Sequence, residues 1–244
     1  MSEPLVNCHA QDGWQEIALN RPDRRNAVIG PMVDQLIDAI DAADRDSSVR
    51  VILLRGKGNA FCSGLDLKAF NAEPPPDWMP AFGATWRRMH ERIFAADTAI
   101  IGALELCAIN GGAALALACD LLIAGDQSFV QVGEVQGGMP APMNVAWLRL
   151  RYSEAVAMQL ALTGRRFLGP ELVSLGIALQ SVPDDEVLDR ARELATRLAG
   201  YPEGGLSRIK RAIRNYSARD PKEWFDRASG ADPLRSFKPS KADA

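Results

Sequence analysis

Residues 99–124, AIIGALELCAINGGAALALACDLLIA, are the most demanding stretch of this 244-residue chain. Only Glu105, Asn110 and Asp120 interrupt its apolar character. With those interruptions no apolar run reaches the roughly 18 residues that a membrane span needs. The stretch must instead be covered by the rest of a globular fold. Residues 99–104 read as a buried strand. Gly111 and Gly112 open an alanine-rich run, AALALAC, that reads as a buried helix, and LLIA at 121–124 reads as another short strand.

The flanking sequence supplies the cover. Residues 14–19 alternate loosely and end at the turn signal Asn20-Arg21-Pro22. Residues 31–43 begin with Pro31, favoured in a first helical turn, and carry Met32, Leu36, Ile37 and Ile40 at helical spacing. VRVILL at 49–54 is a short β-rich run. Four prolines in residues 71–80 exclude a regular helix or central strand and predict a flexible surface loop ahead of a helix at about 82–96. Further on, Ser153 is an N-cap candidate for a helix over 154–162. Val187, Leu188, Ala191, Leu194, Ala195 and Leu198 form one stripe of a helix over 184–199, and another helix is expected over 204–216. The polar tail, 229–244, is expected to fray.

Composition narrows the function classes. Thirty-one acids against 28 bases give a net charge of −3, which excludes a strongly basic nucleic-acid binder. Cys8, Cys62, Cys107 and Cys119 lack C-x-x-C spacing, so neither a disulfide framework nor a zinc cluster is expected. The N-terminus has no charged region followed by an apolar one, as a signal peptide would. The expectation is a soluble, cytoplasmic chain with no metal, nucleic-acid or membrane partner.

Familiar catalytic motifs fail one by one. Gly56-Lys57-Gly58 follows a strand, but Phe61 stands where a dinucleotide fingerprint needs its third glycine. Phe also occupies the first glycine position of a nucleophile elbow at 61–64. Cys62 as a nucleophile would need a histidine, and only His9 and His90 exist. His90 reads as a surface or packed side chain. What remains is a pair of glycine turns, 60–68 and 110–112. Backbone N–H groups at such turns lack secondary-structure partners, and two aimed at one point make an oxyanion hole. The helix opening at Gly111 adds partial positive charge there.

Four blocks then line up in order. LNRPDRRNA at 19–27 is similar to L-N-R-P-x-x-x-N-A. AFCSGLDLK at 60–68 is similar to A-F-C-A-G-x-D-L-K, and residues 113–124 contain C-D-L-x-I-A. LTGRRFLGPELVSLG at 162–176 is similar to L-T-G-x-x-x-x-A-x-E-A-x-x-x-G. Over residues 14 to 200 the chain thus resembles the crotonase (enoyl-CoA hydratase/isomerase) superfamily. The resemblance implies an α/β fold, a crotonase (ClpP-like) spiral of β-β-α units with a helical C-terminal region. It implies a core domain over 1–195 and an oligomerisation region over 196–244, building a homotrimer or homohexamer.

Carried over by position, the resemblance makes the N–H groups of Leu65 and Gly111 the oxyanion donors, with Gly112 the alternative to Gly111. Of the two glutamates that hydratases of the family use, the first falls at Ala114 and the second at Glu134. One acid–base group therefore points to double-bond isomerisation. Hydration with an atypical second acid and a catalytically inactive CoA-thioester binder are the alternatives. Glu73, Asp77 and Glu105 are the other carboxylates in view. The resemblance also implies coenzyme A, as part of the substrate and not a permanent cofactor, held near Arg25, Ala27, Ala60, Asp66 and Leu67, with Arg24 adding positive charge.

Overall fold

In the computed structural model, residues 3–58, 60–215 and 220–229 are described. The strands are β1 (Val6–Gln11), β2 (Trp14–Leu19), β3 (Val51–Gly56), β4 (Ala99–Leu104), β5 (Cys107–Ile109), β6 (Leu121–Gly125), β7 (Phe129–Gln131), β8 (Arg166–Leu168) and β9 (Gln180–Val182). The helices are α1 (Gly30–Arg45), α2 (Leu67–Phe70), α3 (Phe82–Ala95), α4 (Gly111–Ala118), α5 (Pro142–Arg151), α6 (Glu154–Thr163), α7 (Gly169–Ser174), α8 (Val187–Ala199), α9 (Gly205–Asn215) and α10 (Pro221–Ser229).

Six strands form one sheet in the order β1-β2-β3-β4-β6-β9. Only the β1–β2 pair is antiparallel; the others run parallel. The inner strands are buried almost without a break, as parallel strands covered on both faces must be. One face packs against α8, whose Val187, Ala191, Leu194 and Ala195 meet Val51, Leu53, Ile101 and Ile123. The other faces a larger core filled from α1, α3, α4 and α5.

A second layer carries β5, β7 and β8. It is widened by two parallel bridges, Cys62 with Ala108 and Val28 with Leu65. The segments around 28, 62–65, 107–109 and 129–131 therefore run side by side, and three turns leave this layer at their far ends.

The predicted elements are present with shifted ends. The run at 49–54 begins two residues late: the Val49 N–H donates back to the Asp46 carbonyl and the Arg50 N–H to the carbonyl of Gly13 between β1 and β2. The helix expected from 184 starts at Val187, after a turn in which Glu186 N–H donates to the Pro183 carbonyl. Ser153 caps α6, its side chain accepting the Val156 N–H at 3.3 Å. His90 is fully buried, held by the Trp147 indole N–H at 2.9 Å. The proline loop is tied at its far end, where Trp78 lies edge-on to Phe70 with centroids 5.2 Å apart. The residue 195/196 boundary falls inside α8. The helix expected over 204–216 is described to Asn215, and the tail beyond Ser229 lies outside the described residues.

Candidate functional site

The two glycine turns pack directly onto each other. Gly64 has φ +94°, and a Cβ there would come within 2.7 Å of the Ile109 carbonyl. A Cβ on Gly112 would come within 2.2 Å of the Cys62 carbonyl. Both positions need glycine, the first for conformation and closeness, the second for closeness alone. The gain is proximity: the Cβ position of Gly64 is 3.6 Å from the Gly111 nitrogen.

Two backbone donors are left open there. The Gly64 carbonyl accepts from Val28 and the Asp66 N–H donates to Val28, at 2.8 and 3.0 Å. Leu65, between them, must point its own N–H to the opposite side. Among the described residues that N–H has no partner, and neither has the N–H of Gly111 at the start of α4. The Gly112 N–H lies in the same open first turn.

The residue before the helix explains why the turn stays open. Asn110, with φ +50°, is the N-cap of α4, but its side chain makes no capping hydrogen bond. Its Oδ1 accepts the N–H of Gly133 at 2.8 Å instead. Its N–H donates to the Gln131 carbonyl at 2.8 Å. Asn110 thereby fastens the start of α4 to the end of β7.

Glu134 follows Gly133 and begins a single helical turn over Glu134–Gly137. Its Oε1 accepts from Asn144 Nδ2 at 2.7 Å. Its Oε2 is buried and has no hydrogen-bond partner. Burial pushes the Glu134 carboxyl above the usual range, and the Asn144 hydrogen bond only partly opposes it. Asn144 Nδ2 also donates to the Asn110 carbonyl at 3.0 Å. Carboxylate and helix start thus share one nitrogen. Ala114, the other acid position implied by the resemblance, is a fully buried methyl.

The remaining carboxylates lie elsewhere. Glu73 and Asp77 are exposed on the proline loop. Glu105 sits in the field of Arg55, Arg192 and Glu16, where burial raises its carboxyl. Asp120 binds Lys210, Arg151 and Arg214.

The residues proposed for coenzyme A share one edge. Asn26, wholly buried, donates to the carbonyls of Lys57 and Ala60 at 3.0 and 2.7 Å and accepts from the Arg21 N–H. It clasps the segment of Arg25 and Ala27 to that of Ala60. Ser63 N–H donates to the Arg25 carbonyl at 2.9 Å. Arg24 and Arg25 are exposed, as is Leu67, whereas Ala27 and Ala60 are buried. Asp66 is spoken for: its carboxylate pairs with Arg21 at 2.8 Å and caps α2 through the Ala69 N–H. Burial works to raise this carboxyl, but the hydrogen bonds from Arg21 and the Ala69 N–H and the charges of Arg21 and Arg24 together hold it below the usual range.

Sequence reasoning missed Asn144 and the off-helix role of Asn110. The Asn110-Gly111-Gly112 spelling marked the turn but not the direction of the side chain. Asn144 is set by α5, which no periodic stripe announced.

Two unpartnered backbone donors and a buried carboxylate, the carboxylate and the helix start tied to the same Asn144 amide, are the groups that proton transfer next to a carbonyl requires. Residues 9–227 match the family described as enoyl-CoA hydratase/isomerase. A 1,2-epoxyphenylacetyl-CoA isomerase of Escherichia coli strain K12 is 32% identical over 215 residues, covering 86% of this chain and 82% of the relative. Enoyl-CoA hydratase EchA19 of Mycobacterium tuberculosis is 30% identical over 213 residues, covering 86% and 80%. The crystal structure of an enoyl-CoA hydratase/isomerase from Xanthobacter autotrophicus Py2 superposes with a TM-score of 0.85 at 26% identity, covering 96% of this chain and 88% of that one. The chain belongs to the enoyl-CoA hydratase/isomerase family and has the crotonase fold. The family acts on CoA thioesters, and relatives carry both hydratase and isomerase names.

Proposed function

We propose that this chain isomerises the double bond of an enoyl-CoA, with Glu134 as its single acid–base group. The thioester oxygen sits between the N–H groups of Leu65 and Gly111. Glu134 takes a proton from C2 of a 3-enoyl group, and the electron pair moves into the carbonyl to give an enolate. The same carboxyl returns the proton at C4, leaving the double bond at C2. Losing one such donor typically costs about 10²–10³ in rate.

The observation that carries this reading is the state of Glu134. One oxygen is held by Asn144 and the other is buried and unpartnered, next to the open start of α4. With alanine at 114, the second carboxylate that would share the work of hydration is missing there. Coenzyme A would lie along Arg25, Ala27, Ala60 and Leu67, with Arg24 and Arg25 facing its phosphates. The free thiols among the described cysteines are compatible with a reducing cytoplasm. Exposed Met158 and Leu162 on α6 give a second copy an apolar surface, in line with a homotrimer or homohexamer.

The test is parallel assay of 3-enoyl-CoA isomerisation and 2-enoyl-CoA hydration. The reading expects isomerisation to dominate and Glu134→Gln to lower it by about 10²–10⁴, with acyl-CoA affinity retained. Dominant hydration would replace the reading with a hydratase. Binding with neither activity would make the chain a non-catalytic acyl-CoA binder.

A further inference from the structure

Asn144 does more than neighbour Glu134. Its side chain is 2% exposed, in the first turn of α5. Both donor positions of its amide are used: Nδ2 reaches Glu134 Oε1 at 2.7 Å and the Asn110 carbonyl at 3.0 Å. The Asn110 carbonyl belongs to the same peptide unit whose N–H is presented at Gly111. It also accepts the Ala114 N–H at 3.0 Å.

The orientation of the amide is dictated by its partners. Turning it over would set Oδ1 against a carboxylate and a carbonyl, neither of which can donate. The observed orientation leaves Oδ1 buried without a partner. A buried polar atom without a partner is unfavourable, and an apolar residue of the same size would avoid it. Packing alone therefore does not account for an amide here.

We propose that Asn144 is a positioning residue that locks the proton carrier Glu134 and the Asn110–Gly111 peptide of the oxyanion site into one rigid unit. The inference rests on the function proposed above. Holding Oε1 fixes the carboxylate plane and leaves Oε2 as the oxygen that exchanges a proton with substrate. Donating to the Asn110 carbonyl draws electron density out of that peptide and sharpens the Gly111 N–H as a donor. A neutral amide does both without placing a charge beside the enolate. An aspartate at 144 would set like charges together. A leucine would release both contacts.

The test uses the full chain with Asn144→Leu and Asn144→Asp. Three quantities are read: 3-enoyl-CoA isomerisation against pH, the dissociation constant of a non-reacting acyl-CoA, and the titration of Glu134 by carboxyl NMR with Glu134→Gln as the assignment control. For Asn144→Leu the expected result is a fall in kcat of about 10²-fold, affinity within a few-fold, and an acid limb moved to higher pH. Asn144→Asp should move that limb further, while thermal melting shows both variants folded. An Asn144→Leu enzyme with unchanged kcat and an unmoved Glu134 titration would overturn the proposal. So would a loss of kcat that tracks lost affinity and melting temperature while the titration stays in place, since that is a structural role. An inactive wild type would refute the proposed function and with it Glu134 as a proton carrier. The titration would still decide whether Asn144 holds Glu134.

Discussion

The Asn110 side chain accepts the N–H of Gly133 at 2.8 Å and leaves the helix it precedes uncapped. Asparagine at an N-cap ordinarily satisfies the N–H of the second or third helical residue. Here that capacity is spent across the site, and the helix start remains free to hold an anion.

Asn110→Asp separates the two consequences. Aspartate has the size of asparagine and keeps an acceptor for the Gly133 N–H. It also puts negative charge at the N-terminus of α4, which favours the helix by about 0.3–1 kcal/mol and opposes an enolate at the same place. The variant should melt at the same temperature as wild type or higher, yet turn over at least about tenfold more slowly. Retained activity with lowered stability would show that no anion forms at this turn.

The turn glycines should differ sharply in tolerance. A Cβ on Gly111 would meet Leu65 Cδ2 and Trp86 Cζ2 at 3.4 Å, an ordinary contact. A Cβ on Gly112 would overlap the Cys62 carbonyl at 2.2 Å, and backbone cannot turn aside. Gly112→Ala should therefore destabilise by about 1–3 kcal/mol or more, whereas Gly111→Ala should change stability by less than about 1 kcal/mol. Denaturant unfolding of both variants decides this, and the reverse order would mean that the turns pack differently.

Helix α9 is fastened by charge. Asp120 accepts the Ile100 N–H at 2.9 Å and meets Lys210 at 2.6 Å, Arg151 at 3.1 Å and Arg214 at 3.2 Å. Burial brings Lys210 down to about 8 despite the attraction of Asp120. Asp120→Asn would leave three cations facing one another and should cost about 3–5 kcal/mol. Asp97→Asn, which breaks an exposed pair with Arg211, should cost no more than about 1 kcal/mol. Equal losses from the two changes in chemical unfolding would remove Asp120 as the anchor of α9.

How far the site could be read from the sequence depended on what local pattern reports. Glycines, the alanine run and α8 announce themselves through spacing, and they position Leu65, Gly111 and much of the core. The β1–β2 hairpin had a local signal, Asp12-Gly13 between Gln11 and Trp14, a two-residue turn of the preferred kind. It escaped notice because β1 is an edge strand with mostly exposed side chains and no apolar alternation. The strands β5, β7, β8 and β9 are three residues each, too short for any period. Asn144 and Asn110 were illegible for another reason. Their roles arise from contacts across 34 and 23 residues of chain. His90 followed the same rule: its place on α3 was visible, but its burial against Trp147 comes from α5.

Turnover and stability should both depend on pH through Glu134, with opposite signs. Burial raises its carboxyl above the roughly 4.3 of a free glutamate. Proton abstraction needs the ionised form, so turnover should fall as pH drops through this raised value. The limb should lie above the ordinary carboxylate range and be absent from Glu134→Gln. The sign for stability is opposite. Between the ordinary and the raised pKa the native state binds more protons than the unfolded chain. Stability from this group is therefore present at low pH and lost as pH rises through that window. Glu134→Gln removes the ionisation and keeps an acceptor for Asn144 Nδ2. At neutral pH it should be more stable than wild type while being the slower enzyme. Rate profiles and urea unfolding at acidic and neutral pH measure both signs. A Glu134→Gln protein less stable than wild type at neutral pH would mean that the carboxylate stabilises the native fold, and that its placement serves folding more than proton transfer.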